Sequence, residues 1–119
     1  GRPNGAIYAY WDDLFVDAEA SVRTQLKGTA PNRRFVIEYR NARYLGDTTR
    51  RIDVSIVLDE SGQISTQTRN LANDGRERGN SATLGIENAA GNVALQFSLN
   101  QAVLGVEPAV NTITYRPPA

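Results

Sequence analysis

The sequence predicts an all-β domain, an antiparallel β-sandwich or jelly roll of about seven to eight short strands with little or no helix. Three observations carry that expectation. Apolar residues recur with a period of two, most cleanly at Ile52, Val54, Ile56 and Leu58, which marks strands with one face buried and one wet. Turn residues punctuate these runs at Gly46-Asp47, Glu60-Ser61-Gly62 and Asn73-Asp74-Gly75. No stretch of ten or more residues repeats the i, i+3, i+4, i+7 pattern of an amphipathic helix. Residues 13–22 come nearest, with Leu14, Ala18 and Val22 four apart.

Taken in order, residues 1–5 hold Pro3 and two glycines and read as a leader or linker remnant. A single sandwich domain is expected over residues 6–116, with 117–119 as a tail, since 119 residues suit one core and not two. Residues 6–17 gather Tyr8, Tyr10, Trp11 and Phe15 around Asp12 and Asp13. Residues 21–26 alternate as a short strand and residues 29–32 turn. Residues 33–44 form a strand placed centrally, because Phe35, Ile37 and Tyr39 alternate and the opposite face is mixed. Residues 52–58 and 63–69 make a hairpin, and the polar stretch 69–80 reads as an exposed loop.

Residues 78–100 are the most legible part. Ala82, Leu84 and Ile86 alternate, then Val93, Leu95, Phe97 and Leu99 alternate after a break rich in residues that tolerate positive φ, so an antiparallel hairpin is expected. Turn residues follow at 104–108, and 111–115 is a last strand before Pro117-Pro118. On this register Phe35, Ile37, Val54, Ile56, Leu58, Leu84, Ile86, Leu95 and Phe97 share one core and are nearly buried.

Composition excludes several function classes. Thirteen basic and thirteen acidic residues cancel, so neither nucleic acid nor an anionic membrane is favoured by the long-range field. Twelve of the basic residues are arginine, spread along the chain with no patch. Histidine and cysteine are both absent, which removes Ser-His and Cys-His catalysis, thiolate or imidazole zinc sites and disulfides. No apolar run approaches the ~20 residues of a membrane helix, so membrane insertion is not expected.

Two clusters carry candidate chemistry. Asp12, Asp13, Asp17 and Asp74 are the oxygen donors for a possible calcium ion if the backbone bends to bring them together. The competing reading has Asp12 and Asp13 capping a turn through backbone N–H groups. Trp11, with Tyr8, Tyr10, Tyr39 and Tyr44, forms the candidate ligand-binding set, because flat aromatic rings stack on sugars and offer polar tips. The competing reading packs these rings into the core with their polar ends at its rim. Paired carboxylates among Asp12, Asp13, Glu38, Asp59 and Glu87 give the runner-up, a carbohydrate-active enzyme domain, although no motif supplies the geometry a catalytic site needs.

The segments IYAYWDDL, APNRRFVIEYRN, RRIDVSIVLDESGQISTQ and GNSATLGIENAAGNVALQFS together resemble a β-sandwich module of secreted bacterial proteins, often found beside proteases or other extracellular enzymes. Their order is also similar to that of nidogen-like extracellular domains. The resemblance spans roughly residues 6–100. It implies an extracellular, secreted or cell-surface location and a non-catalytic accessory role in adhesion or targeting through protein or glycan contacts, and it brings no catalytic residues. The chain starts close to the WDDL element, where further sequence is expected ahead of it. An N-terminal strand is therefore expected to be missing, leaving an open sheet edge and a route to self-association, with the polar strand 63–69 as the weakest edge.

Overall fold

The computed structural model describes residues 5–47, 49–69, 79, 81–104 and 111–118. These form nine strands and no helix: β1 (Ile7–Trp11), β2 (Leu14–Phe15), β3 (Ser21–Lys27), β4 (Arg34–Tyr44), β5 (Arg51–Asp59), β6 (Ile64–Arg69), β7 (Thr83–Glu87), β8 (Ala94–Leu99) and β9 (Asn111–Tyr115). Every pairing is antiparallel. A three-stranded sheet runs β1-β7-β8; a six-stranded sheet runs β2-β4-β5-β6-β9, with β3 also on β4. The all-β sandwich expectation holds. The ninth strand is the two-residue β2, too short to alternate. Residues 13–22, the nearest approach to a helical pattern, hold β2 and the start of β3.

Cross-strand register explains the core. Facing residues on paired strands share a side of the sheet, so Tyr39 with Val54 and Thr68, then Ile37 with Ile56, Thr66 and Ile113, line up in rows on the inner face of the large sheet. β4 then changes phase. Its pairing with β5 slips between Tyr39 and Ala42, and Asn41 takes the left-handed conformation at φ 58°. Its N–H donates to Asp53 Oδ1 at 2.6 Å and its Nδ2 to the Glu19 carbonyl at 3.0 Å, while its own carbonyl accepts from Arg51 at 2.9 Å. Strict alternation from Tyr39 would put Asn41 and Arg43 inside. The bulge instead turns Ala42 and Tyr44 inward, and both are buried.

The buried set is Ala9, Tyr10, Ala42, Tyr44, Ile52, Val54, Ala82, Leu84 and Leu104. Of the core expected from the sequence, Val54 and Leu84 are buried; Ile37, Ile56, Leu58 and Ile86 are half-buried. Phe35, Leu95 and Phe97 are exposed, at 38%, 60% and 53%, which corrects the expected register. The reason is coverage: among the described residues three strands face six, and β8 is an edge strand that also bulges. Gln96 pairs with Gly85 and Ser98 with Leu84, so Phe97 has no partner on β7. A second correction concerns edges. The strand 63–69 lies between β5 and β9, so it is interior and not a weak edge.

Candidate functional site

The outer face of the small sheet is built by a bulge in β1. Tyr8 pairs with Gly85 but Trp11 pairs with Thr83, so three steps along β1 match two along β7. Both Ala9 and Tyr10 therefore turn inward and are buried, while Tyr8 and Trp11 face out. Trp11, the only tryptophan of the chain, is 58% exposed. Its ring meets that of Tyr8 edge-on, with centroids 5.5 Å apart and planes at 83°, a favoured aromatic geometry. The Tyr8 hydroxyl donates to Glu87 Oε2 at 3.0 Å.

Beside this pair lies a hollow of about 580 Å³, bordered by Trp11, Tyr8, Thr83, Glu87, Leu95 and Leu99. Gly85 sits between Tyr8 and Gln96 in the ladder, and a Cβ there would come within 2.5 Å of the Leu95 carbonyl oxygen. Only glycine fits this close approach, which leaves the floor of the hollow as bare backbone.

The five aromatics named from the sequence do not share one surface. Tyr8 and Trp11 border the hollow. Tyr10 and Tyr44 lie in the interior, 6% and 0% exposed, with hydroxyls 2.7 Å apart. Tyr39 is half-buried against the core and borders a crevice of about 280 Å³ between the sheets, which Trp11 and Tyr8 also reach. Glu87 and Gly85 were not assigned to a ligand face in the sequence, because their place beside Tyr8 depends on a β1–β7 register with no local signal.

The carboxylates are also dispersed. Asp12 accepts from the Asp13 N–H at 2.8 Å and from the Ser81 hydroxyl at 2.7 Å, the first contact being the capping role weighed against calcium. Asp13 is exposed. Asp17 accepts from Arg51 through both oxygens, at 3.0 and 2.7 Å, and lies 3.4 Å from Arg43 Nε. The Arg51 hydrogen bonds, against some opposing desolvation, hold the Asp17 carboxyl down to about 2. Asp74 lies outside the described residues. Among the described residues no three acidic side chains converge on one point.

Asp47 is likewise held well below the usual carboxylate range, first by the Thr49 N–H and then by Arg50. Glu60 is lowered by Arg33, whose guanidinium and backbone N–H both donate to it. These pairs tie Asp47 to Thr49 and Arg50 at one end of the large sheet, and the approach to β4 to the β5–β6 turn at the other.

No curated protein and no solved structure matches the chain significantly. One family model does match, that of the NIDO-related domain, and it spans residues 1–119, the whole chain. That domain type is non-enzymatic and typically extracellular, in keeping with the nidogen-like order of the sequence segments and with two antiparallel sheets and no helix. On this match over its full length, the chain belongs to the NIDO-related family.

Proposed function

We propose that the chain is a non-catalytic extracellular accessory module that mediates adhesion or targeting, and that it contacts protein or glycan through the outer face of β1-β7-β8. The observation that carries this reading is the exposed Trp11, braced edge-on by Tyr8, whose hydroxyl is anchored on Glu87, beside a hollow floored by Gly85. A rigid aromatic with two torsions loses little entropy on binding, and tryptophan and tyrosine are over-represented among the residues that dominate binding energy. The catalytic alternative draws no support from two of its five carboxylates, since Asp12 holds Ser81 and Glu87 holds Tyr8. The setting in a secreted bacterial protein rests on the wording of the sequence segments.

The test is a glycan array and a protein pull-down with the purified chain, with and without calcium, followed by titration of the ligand found while Trp11 fluorescence is read. Binding should shift that fluorescence, and Trp11→Ala should weaken it by about tenfold or more. A ligand bound equally well by Trp11→Ala sinks this face as the site. Calcium, if it uses Asp12 and Asp13, should raise the melting temperature by mass action, and Asp12→Asn with Asp13→Asn should abolish the rise. Melting curves that coincide with calcium and with chelator leave turn capping as the role of these residues.

A further inference from the structure

Charge divides between the two sheets. Every arginine and lysine that lies within a strand is on β3, β4, β5 or β6, whereas β1, β7 and β8 together carry one charged side chain, Glu87. No arginine or lysine occurs in residues 3–22 or 79–115, the stretches that supply the small sheet. In the sequence the basic residues are spread along the chain; the topology gathers those of the strands on the other sheet.

The hollow beside Trp11 shares this imbalance. Glu87 is the one charged residue among those that border it. The Tyr8 hydroxyl donates to Glu87 Oε2, and among the described residues no ion pair or further hydrogen bond reaches that carboxylate. Asp12 and Asp13, which follow Trp11, add charge of the same sign. A cleft lined by one sign of charge and walled by low-dielectric groups concentrates the opposite ion.

The aromatic rings favour the same kind of ligand. The faces of tryptophan and tyrosine rings are electron-rich and attract a cation placed over them, tryptophan most strongly. Trp11 and Tyr8 stand at 83° to each other, so they offer two walls at nearly a right angle beside one carboxylate. A neutral hydroxyl uses neither the field nor the ring faces in this way. A guanidinium uses both: it is flat enough to stack on a ring while its N–H groups, which lie in its own plane, donate to a carboxylate. Leu99 also borders the hollow and supplies apolar surface for the methylene stem of such a side chain.

We propose that this hollow receives an arginine side chain of a protein partner, with its guanidinium against Trp11 and Tyr8 and its N–H groups on Glu87. The inference rests on the ligand face proposed above, and it selects a basic protein surface over a glycan as what that face meets.

Trp11 is the only tryptophan, so in the nitrogen-15-labelled chain its indole N–H is a single resonance that reports this hollow. The probe is N-acetyl-arginine amide, titrated up to the high millimolar range beside N-acetyl-citrulline amide, which keeps the shape and loses the charge, and methyl β-glucoside. The arginine amide should move the indole resonance along a saturating curve, less so as added salt screens the pair, and the other two should leave it in place. Glu87→Gln should weaken the binding about tenfold. Gln96 is exposed and borders the hollow, so Gln96→Lys adds a competing cation away from the core and should weaken it as well. A citrulline amide that binds as tightly as the arginine amide overturns the proposal, as does an arginine titration that neither Glu87→Gln nor Gln96→Lys alters. A saccharide ligand that needs Trp11 but not Glu87 also overturns it, yet leaves the face as the ligand site. A ligand indifferent to Trp11→Ala removes the face, and the proposal with it.

Discussion

The hydroxyls of Tyr10 and Tyr44 lie 2.7 Å apart in the interior and tie β1 of the small sheet to β4 of the large one. Their rings also meet edge-on at 6.2 Å. Two bulges bring these tyrosines together, one in β1 and one in β4, so a single contact depends on both departures from simple alternation. Tyr44→Phe keeps the ring and removes one hydroxyl, and should cost about 1 kcal/mol. Tyr44→Ala removes the ring as well and should cost about 3 to 5 kcal/mol. Urea denaturation of both variants checks the pair; a Tyr44→Phe chain as stable as wild type would mean that the hydroxyl contact contributes nothing separate from packing.

The second prediction concerns β7 and β8, where the structure keeps the burial expected of Leu84 and reverses that expected of Leu95 and Phe97. Leu84 is fully buried, whereas Leu95 and Phe97 are more than half exposed. Leu84→Ala should cost about 2 to 5 kcal/mol. Leu95→Ala and Phe97→Ala should each stay within about 0.5 kcal/mol, as surface substitutions do. A loss at Phe97 as large as that at Leu84 would restore the register read from the sequence.

The third prediction is acid sensitivity centred on Asp17. Its carboxyl titrates at about 2 in the fold against an ordinary 3.8, held there first by Arg51. A lowered pKa means that the folded state prefers the ionised form. The stabilisation is present above about pH 4 and is lost as pH falls towards 2. Asp17→Asn should lower the melting temperature at neutral pH and flatten the pH dependence of stability across that window. Wild-type and variant melting curves that fall in parallel between pH 4 and 2 would show that other carboxylates govern the acid limb.

How much of this was legible in the sequence follows from the bulges. β5, β6 and β7 keep a strict period of two, and their strands could be read directly. In Tyr8-Ala9-Tyr10-Trp11 the same rule puts both tyrosines on one face and Trp11 on the other. The structure instead pairs Tyr8 with Trp11 outside and Ala9 with Tyr10 inside. A bulge leaves no composition signature when no glycine marks it, so the Tyr8–Trp11 face proposed for ligand, and the burial of Tyr10 and Tyr44, were out of reach of alternation. The unequal size of the two sheets was also hidden, because it depends on long-range pairings. That inequality leaves Leu95 and Phe97 uncovered although their sequence pattern is that of a core strand.

The last prediction tests the β4 bulge at Asn41. An L-residue with a Cβ costs roughly 1 to 2 kcal/mol in the left-handed region, and asparagine is among the few that offset this with local hydrogen bonds. Here Asn41 is at φ 58° with its side chain donating to the Glu19 carbonyl. Asn41→Gly keeps the backbone conformation and loses only that hydrogen bond, so it should cost about 1 kcal/mol or less. Asn41→Val loses the bond and adds a β-branched side chain that resists positive φ, so it should cost about 2 kcal/mol or more. Hydrogen exchange should then show opening first at Ala42 and Tyr44, the buried residues whose inward phase depends on the bulge, and at Ile52, which pairs with Ala42. If Asn41→Val proves as stable as Asn41→Gly, the left-handed residue is not what sets that phase, and the Asp53 hydrogen bond to the Asn41 N–H, 2.6 Å long, is the contact that holds the bulge.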